Sequence, residues 1–209
     1  MLITNEQGAS RLHDYNHDHS SSKSYSREKG IRTFQLTKEP EIMTRKQLTT
    51  LNDILAYQLR GMYDAEQKLR TEVPPCCSCA SFIHLQNEIE KYIEQSSNKI
   101  IKLERIFNYL MEEPTGYHNS IIDKMLEDIN SITANVVSPR LRDVMVTSSL
   151  LAINHYKLGI YSCCQLIALE MEVETVSDLL AEIVNWEKET NRALSRIALE
   201  ETIYHQRQC

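Results

Sequence analysis

Residues 51–73 read LNDILAYQLRGMYDAEQKLRTEV. Leu51, Leu55, Leu59/Met62, Leu69 and Val73 recur three or four positions apart, the period that stacks apolar side chains on one face of an α-helix. Thr50 and Asp53 are spaced to form a capping-box pair at its start. Pro74-Pro75 is expected to stop it, because proline lacks the amide hydrogen that an interior turn needs.

The same period returns four times downstream. A second helix is expected from about Ala80 to Met111, with Phe82, Leu85, Ile89, Ile93, Ser96, Ile100, Leu103, Phe107 and Leu110 on one face, ended by Pro114-Thr115-Gly116. At 1.5 Å per residue, about thirty residues make a rod of about 45 Å. A shorter amphipathic segment follows at 120–134. Ser138-Pro139 then opens a long helix, with serine as N-cap and proline in the first turn. The last helix runs from Thr175 to about Tyr204. Four long amphipathic helices and one short one predict an all-α chain, an antiparallel four-helix bundle with the extra short helix between the second and third long ones. Only five Gly and five Pro occur in 209 residues, too few for the tight turns of an all-β fold.

Residues 1–47 show no sustained apolar period and include the run from His19 to Ser26, so they are expected to form a disordered polar tail ahead of a helical domain over 48–209. His13, His17 and His19 are at most weak metal donors there. The tail carries 8 Lys/Arg and 6 Asp/Glu, net +2; the remaining 15 and 23 leave the body at −8. An acidic body repels phosphate backbones, so nucleic acid is not an expected partner. No apolar run reaches membrane-spanning length and no signal-peptide core opens the chain, which points to the cytoplasm and to reduced thiols rather than disulfides.

Leu59-Arg60-Gly61-Met62-Tyr63-Asp64-Ala65-Glu66-Gln67-Lys68-Leu69 resembles the first-helix signature of the YciE/YciF-type ferritin-like bacterial stress proteins, which typically read L-R-D-L-Y-D-A-E-K-Q-L. Three weaker matches follow in order: Lys102 to Phe107, His155-Tyr156 with Tyr161, and Leu179-Leu180 with Glu187-Lys188. The resemblance covers about 51–199. It implies a ferritin-like bundle, a cytoplasmic and often dimeric protein, an association with stress, and in some members a carboxylate-rich centre for two metal ions.

A dimetal centre of that kind draws one Glu from each of two helices and a Glu-x-x-His pair from each of the others. No Glu-x-x-His occurs in this chain. Glu66, one turn after Met62, and Glu187, one turn after Ile183, are expected to face the interior. Where relatives carry acids, this chain has Gln58, Asn154, Lys157, Trp186 and Asn191. Lys157, with Lys99 as a second candidate, is expected to pair with Glu66 or Glu187 in place of a metal's charge. Two alternatives stay open: lysines extended to solvent, with the glutamates bonded to water or tyrosine hydroxyls, or a retained centre holding iron or manganese. Glu104 and His155 are expected to have surface or structural roles, and His84 and His118 to sit near helix ends.

Cys76 and Cys79, in an expected loop after Pro74-Pro75, have the i, i+3 spacing of a redox couple or soft-metal pair, but no second pair completes a zinc site. Cys163-Cys164 lies partly off the core face of the third long helix. No nucleophile triad, phosphate loop or dinucleotide motif is present, so catalysis is not expected. Three function classes remain: a non-catalytic bundle acting through protein contacts, a metal-handling ferritin relative, and a thiol-based redox responder. An isologous homodimer is expected from the family, with no face identified.

Overall fold

A computed structural model describes residues 47–206, with side chains up to residue 200. The polar tail, its histidines and Cys209 lie outside the described residues. Four long helices, α1 (Leu51–Glu72), α3 (Ile83–Leu110), α5 (Pro139–Glu170) and α6 (Glu174–Gln206), form the antiparallel bundle. Two shorter helices are α2 (Pro74–Cys79) and α4 (Ser120–Asn135). α1 packs on α3 and α5, and α6 closes the square against the same two. α4 crosses between the second and third long helices and lies against α5. Among the described residues no helix is long and apolar enough to cross a membrane.

Each long helix buries the stripe its period implies. Leu55, Leu59, Met62 and Leu69 from α1 meet Leu85, Ile89, Leu103 and Phe107 from α3 in one continuous core. That core extends through Leu150 and Ile153 of α5 to Leu180 and Ile183 of α6. Leu51, read as the start of the first stripe, is 43% exposed; the buried run begins at Leu55. The capping box forms: Asp53 N–H donates to Thr50 Oγ1 at 3.1 Å, and Thr50 N–H donates to Asp53 Oδ2 at 3.1 Å.

Two boundaries differ from expectation. Pro74-Pro75 ends α1 but does not open a loop. The prolines occupy the first turn of α2, where an amide hydrogen has no intrahelical partner to lose, so Cys76 and Cys79 stand on one short helix. The second long helix begins at Ile83 rather than Ala80, with Phe82 as an N-cap whose side chain caps nothing. Its cap comes from elsewhere in the chain. Asp143 of α5, 2% exposed, accepts from Ser81 N–H at 2.9 Å, Ser81 Oγ at 2.5 Å and Phe82 N–H at 2.8 Å. A carboxylate at a helix N-terminus satisfies stranded donors and complements the positive end of the helix dipole.

The motif in α1 that carries the family resemblance also fixes the long α3–α4 connection. Arg60 donates to Glu113 O at 2.8 Å and pairs with Glu112 at 2.6 Å. Asp64 accepts from Asn119 N–H at 2.8 Å, and Lys68 bridges Asp64 and Asp123. Gly61 lets this connection close in: a Cβ there would sit 3.2 Å from the Tyr117 ring, while the Gly61 carbonyl accepts from Asn119 Nδ2 at 2.9 Å.

Asp143→Ala should lower stability by about 2–3 kcal/mol, because it leaves two amide donors and a hydroxyl without their charged acceptor. Asp143→Asn keeps one acceptor oxygen and should cost less. Urea midpoints of the two variants against the parent chain check the order.

Candidate functional site

Halfway along the bundle, each long helix places at least one polar side chain on the axis. α1 supplies Glu66; α3 supplies Tyr92, Ser96 and Lys99; α5 supplies Asn154, Lys157 and Tyr161; α6 supplies Glu187 and Thr190. Spacings of three and four within a helix keep these groups on one inward face. Glu66, Lys99, Lys157 and Glu187 are all fully buried.

Lys157 is the hub. Its Nζ lies 3.0 Å from Glu66 Oε1 and 3.1 Å from Glu187 Oε1, joining α1 to α6 through α5. It also donates to the Tyr92 hydroxyl at 3.2 Å and stands 4.5 Å from that ring's centroid. Lys99 Nζ comes within 2.7 Å of Glu187 Oε1, an ion contact that lies off the hydrogen-bonding directions. Tyr161 donates to Glu66 Oε1 at 3.0 Å, and Asn154 Nδ2 donates to the Glu187 carbonyl at 3.0 Å. Two carboxylates and two ammonium groups therefore share a fully buried space and sum to zero charge.

The protonation equilibria follow from that arrangement. Burial alone would raise the Glu66 carboxyl, but Lys157 and Lys99 together hold it below its ordinary range. Burial would likewise deprotonate Lys157; Glu187 and Glu66 reverse this and hold its ammonium well above the usual value. Lys99 is pushed down, first by burial and then by the neighbouring Lys157 charge, with Glu187 only partly offsetting both. Burial keeps the Tyr92 and Tyr161 hydroxyls protonated, so both act here as neutral donors or acceptors.

The other residues singled out from the sequence lie away from this centre. Gln58 is half-buried and accepts from the Cys164 thiol at 3.4 Å. Trp186 is half-buried at the edge of the bundle, under Lys102, whose Nζ is 5.0 Å from the ring. Glu104 is exposed and accepts from the Tyr63 hydroxyl at 2.9 Å. His155 is exposed on α5, and His118 pairs with Asp123 at 2.7 Å just ahead of α4. Ser96 is on the inward face read from the sequence but without a role, and Tyr92 has no place in that reading; its only signal is a polar residue seven positions before Lys99 on the same helical face.

Cys76 is buried in the core, and burial pushes its thiol up to about 11, whereas Cys79 is exposed. Cys164 is also buried and raised, with Cys163 exposed beside it. A buried thiol held protonated is a poor nucleophile. Among the described residues no cluster of three or more His, Cys, Asp and Glu forms a metal-binding group.

The family profile of the domain of unknown function DUF892 matches residues 50–207. Protein YciF of Escherichia coli K12 is 18% identical over 153 residues, spanning 73% of this chain and 92% of its own. The crystal structure of that stress protein superposes with a TM-score of 0.71 at 17% identity, covering 74% of this chain and 98% of YciF. YcfI of Rhodopseudomonas palustris, whose description proposes a structural role, gives a TM-score of 0.69 at 22% identity, over 72% of this chain and 96% of its own. A protein of Xanthomonas campestris pv. campestris follows at 0.59 and 15%, over 75% and 99%. With the profile spanning the whole bundle, the chain belongs to the DUF892 family, the YciE/YciF-type ferritin-like proteins.

Proposed function

We propose that this chain is a non-catalytic, structural member of its family, acting in a stress response, in which two lysines occupy the charge role of a metal pair. The single observation that carries this reading is the position of Lys157 Nζ, within 3.1 Å of carboxylates from two opposing helices. A dimetal centre requires anionic oxygens free to bind cations. Here both carboxylates already face ammonium groups, and the remaining polar neighbours, Asn154, Ser96, Tyr92 and Tyr161, are neutral. A divalent ion entering this space would raise the local charge to +2 beside two lysines in a low dielectric. The donor set does not fit iron or manganese. The stress assignment rests on kinship with YciF, which is described as a stress protein.

The metal-binding alternative has one observation in its favour. Glu187 Oε2 and Asn154 Oδ1 are buried without a hydrogen-bond partner in the protein. Two such oxygens suit a water molecule better than a divalent ion, given the adjacent ammonium groups.

Purified, tag-free chain incubated with Fe(II) or Mn(II) and desalted should carry far less than one ion per chain by elemental analysis. A stoichiometric or two-ion load would overturn the reading.

Lys157→Met should destabilise the bundle by about 3–5 kcal/mol, since it strands two buried carboxylates with one remaining counter-charge. If the variant instead matches the parent in denaturant, Lys157 is not the hub of the interior.

Acid dependence has a definite sign. Because the folded Glu66 pKa is depressed, its contribution is present above the ordinary carboxylate value of 4.5 and is lost as pH falls through the lower folded value. The stability gap between the parent and Glu66→Gln should therefore be full near neutrality and close in strong acid. A gap that stays constant from pH 7 to pH 2 in thermal melts would show that Glu66 gains nothing from its ionised state.

A further inference from the structure

α2 is six residues long and carries three of the chain's six cysteines, Cys76, Cys77 and Cys79. Helix geometry allows one pairing among them. Cys76 and Cys79 are three positions apart, so they share one side of the helix with Cα atoms about 5 Å apart. A disulfide spans Cα separations of roughly 4.4–6.8 Å. Cys76 and Cys77 are neighbours, about 3.8 Å apart, too close for an unstrained bridge. Cys77 and Cys79 are turned about 200° from each other and stand on opposite sides. The neighbour argument also excludes Cys163–Cys164. That pair is remote from α2 as well: Cys164 touches Gln58, about 21 Å along α1 from its end at Glu72.

The two thiols of the allowed pair meet different surroundings. Cys79 is exposed, whereas Cys76 is 1% exposed and belongs to the core. An oxidant dissolved in water reaches Cys79 and is kept from Cys76. Burial, and after it the charge of the neighbouring Cys79 sulfur, pushes the Cys76 thiol up to about 11. Cys77 is engaged elsewhere, its thiol facing Gln86 O at 3.7 Å and Glu90 Oε1 at 3.9 Å on α3. The short helix is fixed at both ends. Val73 N–H donates to Leu69 O at 3.1 Å, Ala80 N–H to Cys76 O at 3.0 Å, and Gln86 Nε2 to Ala80 O at 2.6 Å. Just beyond it, Asp143 holds Ser81 and Phe82. The fold therefore sets the spacing of the pair.

We propose that Cys79 and Cys76 form an oxidisable dithiol site whose substrate is a hydroperoxide and whose product is a disulfide within α2. Cys79, as thiolate, attacks one peroxide oxygen and the O–O bond breaks. Hydroxide leaves, takes up the proton that Cys79 released and becomes water, and Cys79 is left as a sulfenic acid. The Cys76 sulfur then bonds to the Cys79 sulfur and the S–O bond breaks. The departing hydroxide takes the Cys76 proton as a second water. One hydrogen peroxide is thereby reduced and two thiols are oxidised. The second step is the slower one, because a buried, protonated thiol attacks weakly.

The same asymmetry makes the bond persistent. A reductant reaches only the Cys79 sulfur, and attack there must expel Cys76, a poor leaving group because its thiol holds its proton tightly. α2 thus records a peroxide encounter as a covalent ring at the joint between α1 and α3. This site is independent of the interior ion quartet. A chain that takes up no metal yet keeps six free thiols ends this proposal and leaves the previous one standing.

The full chain, reduced and freed of reductant, should lose two of its six thiols on treatment with a small excess of hydrogen peroxide. Peptide mapping should find a loss of about 2 Da on the segment holding residues 76–79, the two hydrogens a disulfide gives up. Dimedone should trap roughly 10-fold more sulfenic acid at Cys79 in Cys76→Ala than in the parent, because the resolving thiol is gone. Cys79→Ser changes an exposed position and leaves the core untouched; its Cys76 should stay free under the same treatment. Dithiothreitol should reduce the disulfide roughly 10-fold or more slowly in the folded chain than in urea, where burial no longer raises Cys76. Six thiols remaining free overturn the proposal. So does a bridge mapped to Cys77 or between chains, oxidation of Cys76 that persists in Cys79→Ser, or reduction at equal rates with and without urea.

Discussion

Four charges sealed from water must balance, and the four-helix square is arranged around that requirement. Glu66, Lys99, Lys157 and Glu187 come from all four long helices, so no two helices can satisfy the interior alone. An unpaired buried charge costs several kcal/mol, which makes each helix's register conditional on the other three. A sliding or rotated helix would expose one charge to an apolar wall. The apolar stripes drive the helices together without direction, whereas the ion contacts select one alignment among the many that would bury similar area.

The tyrosines extend this logic. Tyr161 donates to Glu66, and Tyr92 accepts from Lys157. Their protonated hydroxyls add dipoles where each ion has directions left over, without adding charge. Lys99 carries the least favourable position of the four: burial and then the neighbouring Lys157 charge lower its pKa, with Glu187 and Glu66 acting against them. Lys157, between two carboxylates, secures the cluster, while Lys99 completes its neutrality.

The long helices were legible in the sequence because apolar periodicity is a local signal. The direction of Glu66 and Glu187 was legible for the same reason, each lying one turn from a core residue. What failed were features settled between segments. Pro74-Pro75 reads as a stop, yet proline suits the first turn of α2 as well as it terminates α1. The start of α3 could not be placed, since its cap, Asp143, is about sixty residues away. Trp186 stands where relatives carry acids and is adjacent to Glu187, but one position along a helix turns about 100°, enough to take it off the axis to a half-buried place under Lys102. Which lysine meets which glutamate depends on how four rods stack, and no single-segment pattern carries that.

α5 shows the same limit from its other side. Its inward residues were recognisable, but apolar and small residues run all the way round it, so periodicity alone cannot separate a core face from an outward one. Only the packed bundle reveals which of those residues, Leu141, Met145, Leu166 and Leu169 among them, remain exposed. The two faces are then built on opposite principles. Inside, α5 brings Lys157 and a set of polar groups to a centre where charge must be exactly compensated by partners on other helices. Outside, it excludes charge for its whole exposed length and confines it to the two ends. One helix therefore carries both an uncharged outer surface and the hub of the buried ions, and the same rotation about its axis that would expose Lys157 would bury its outer face.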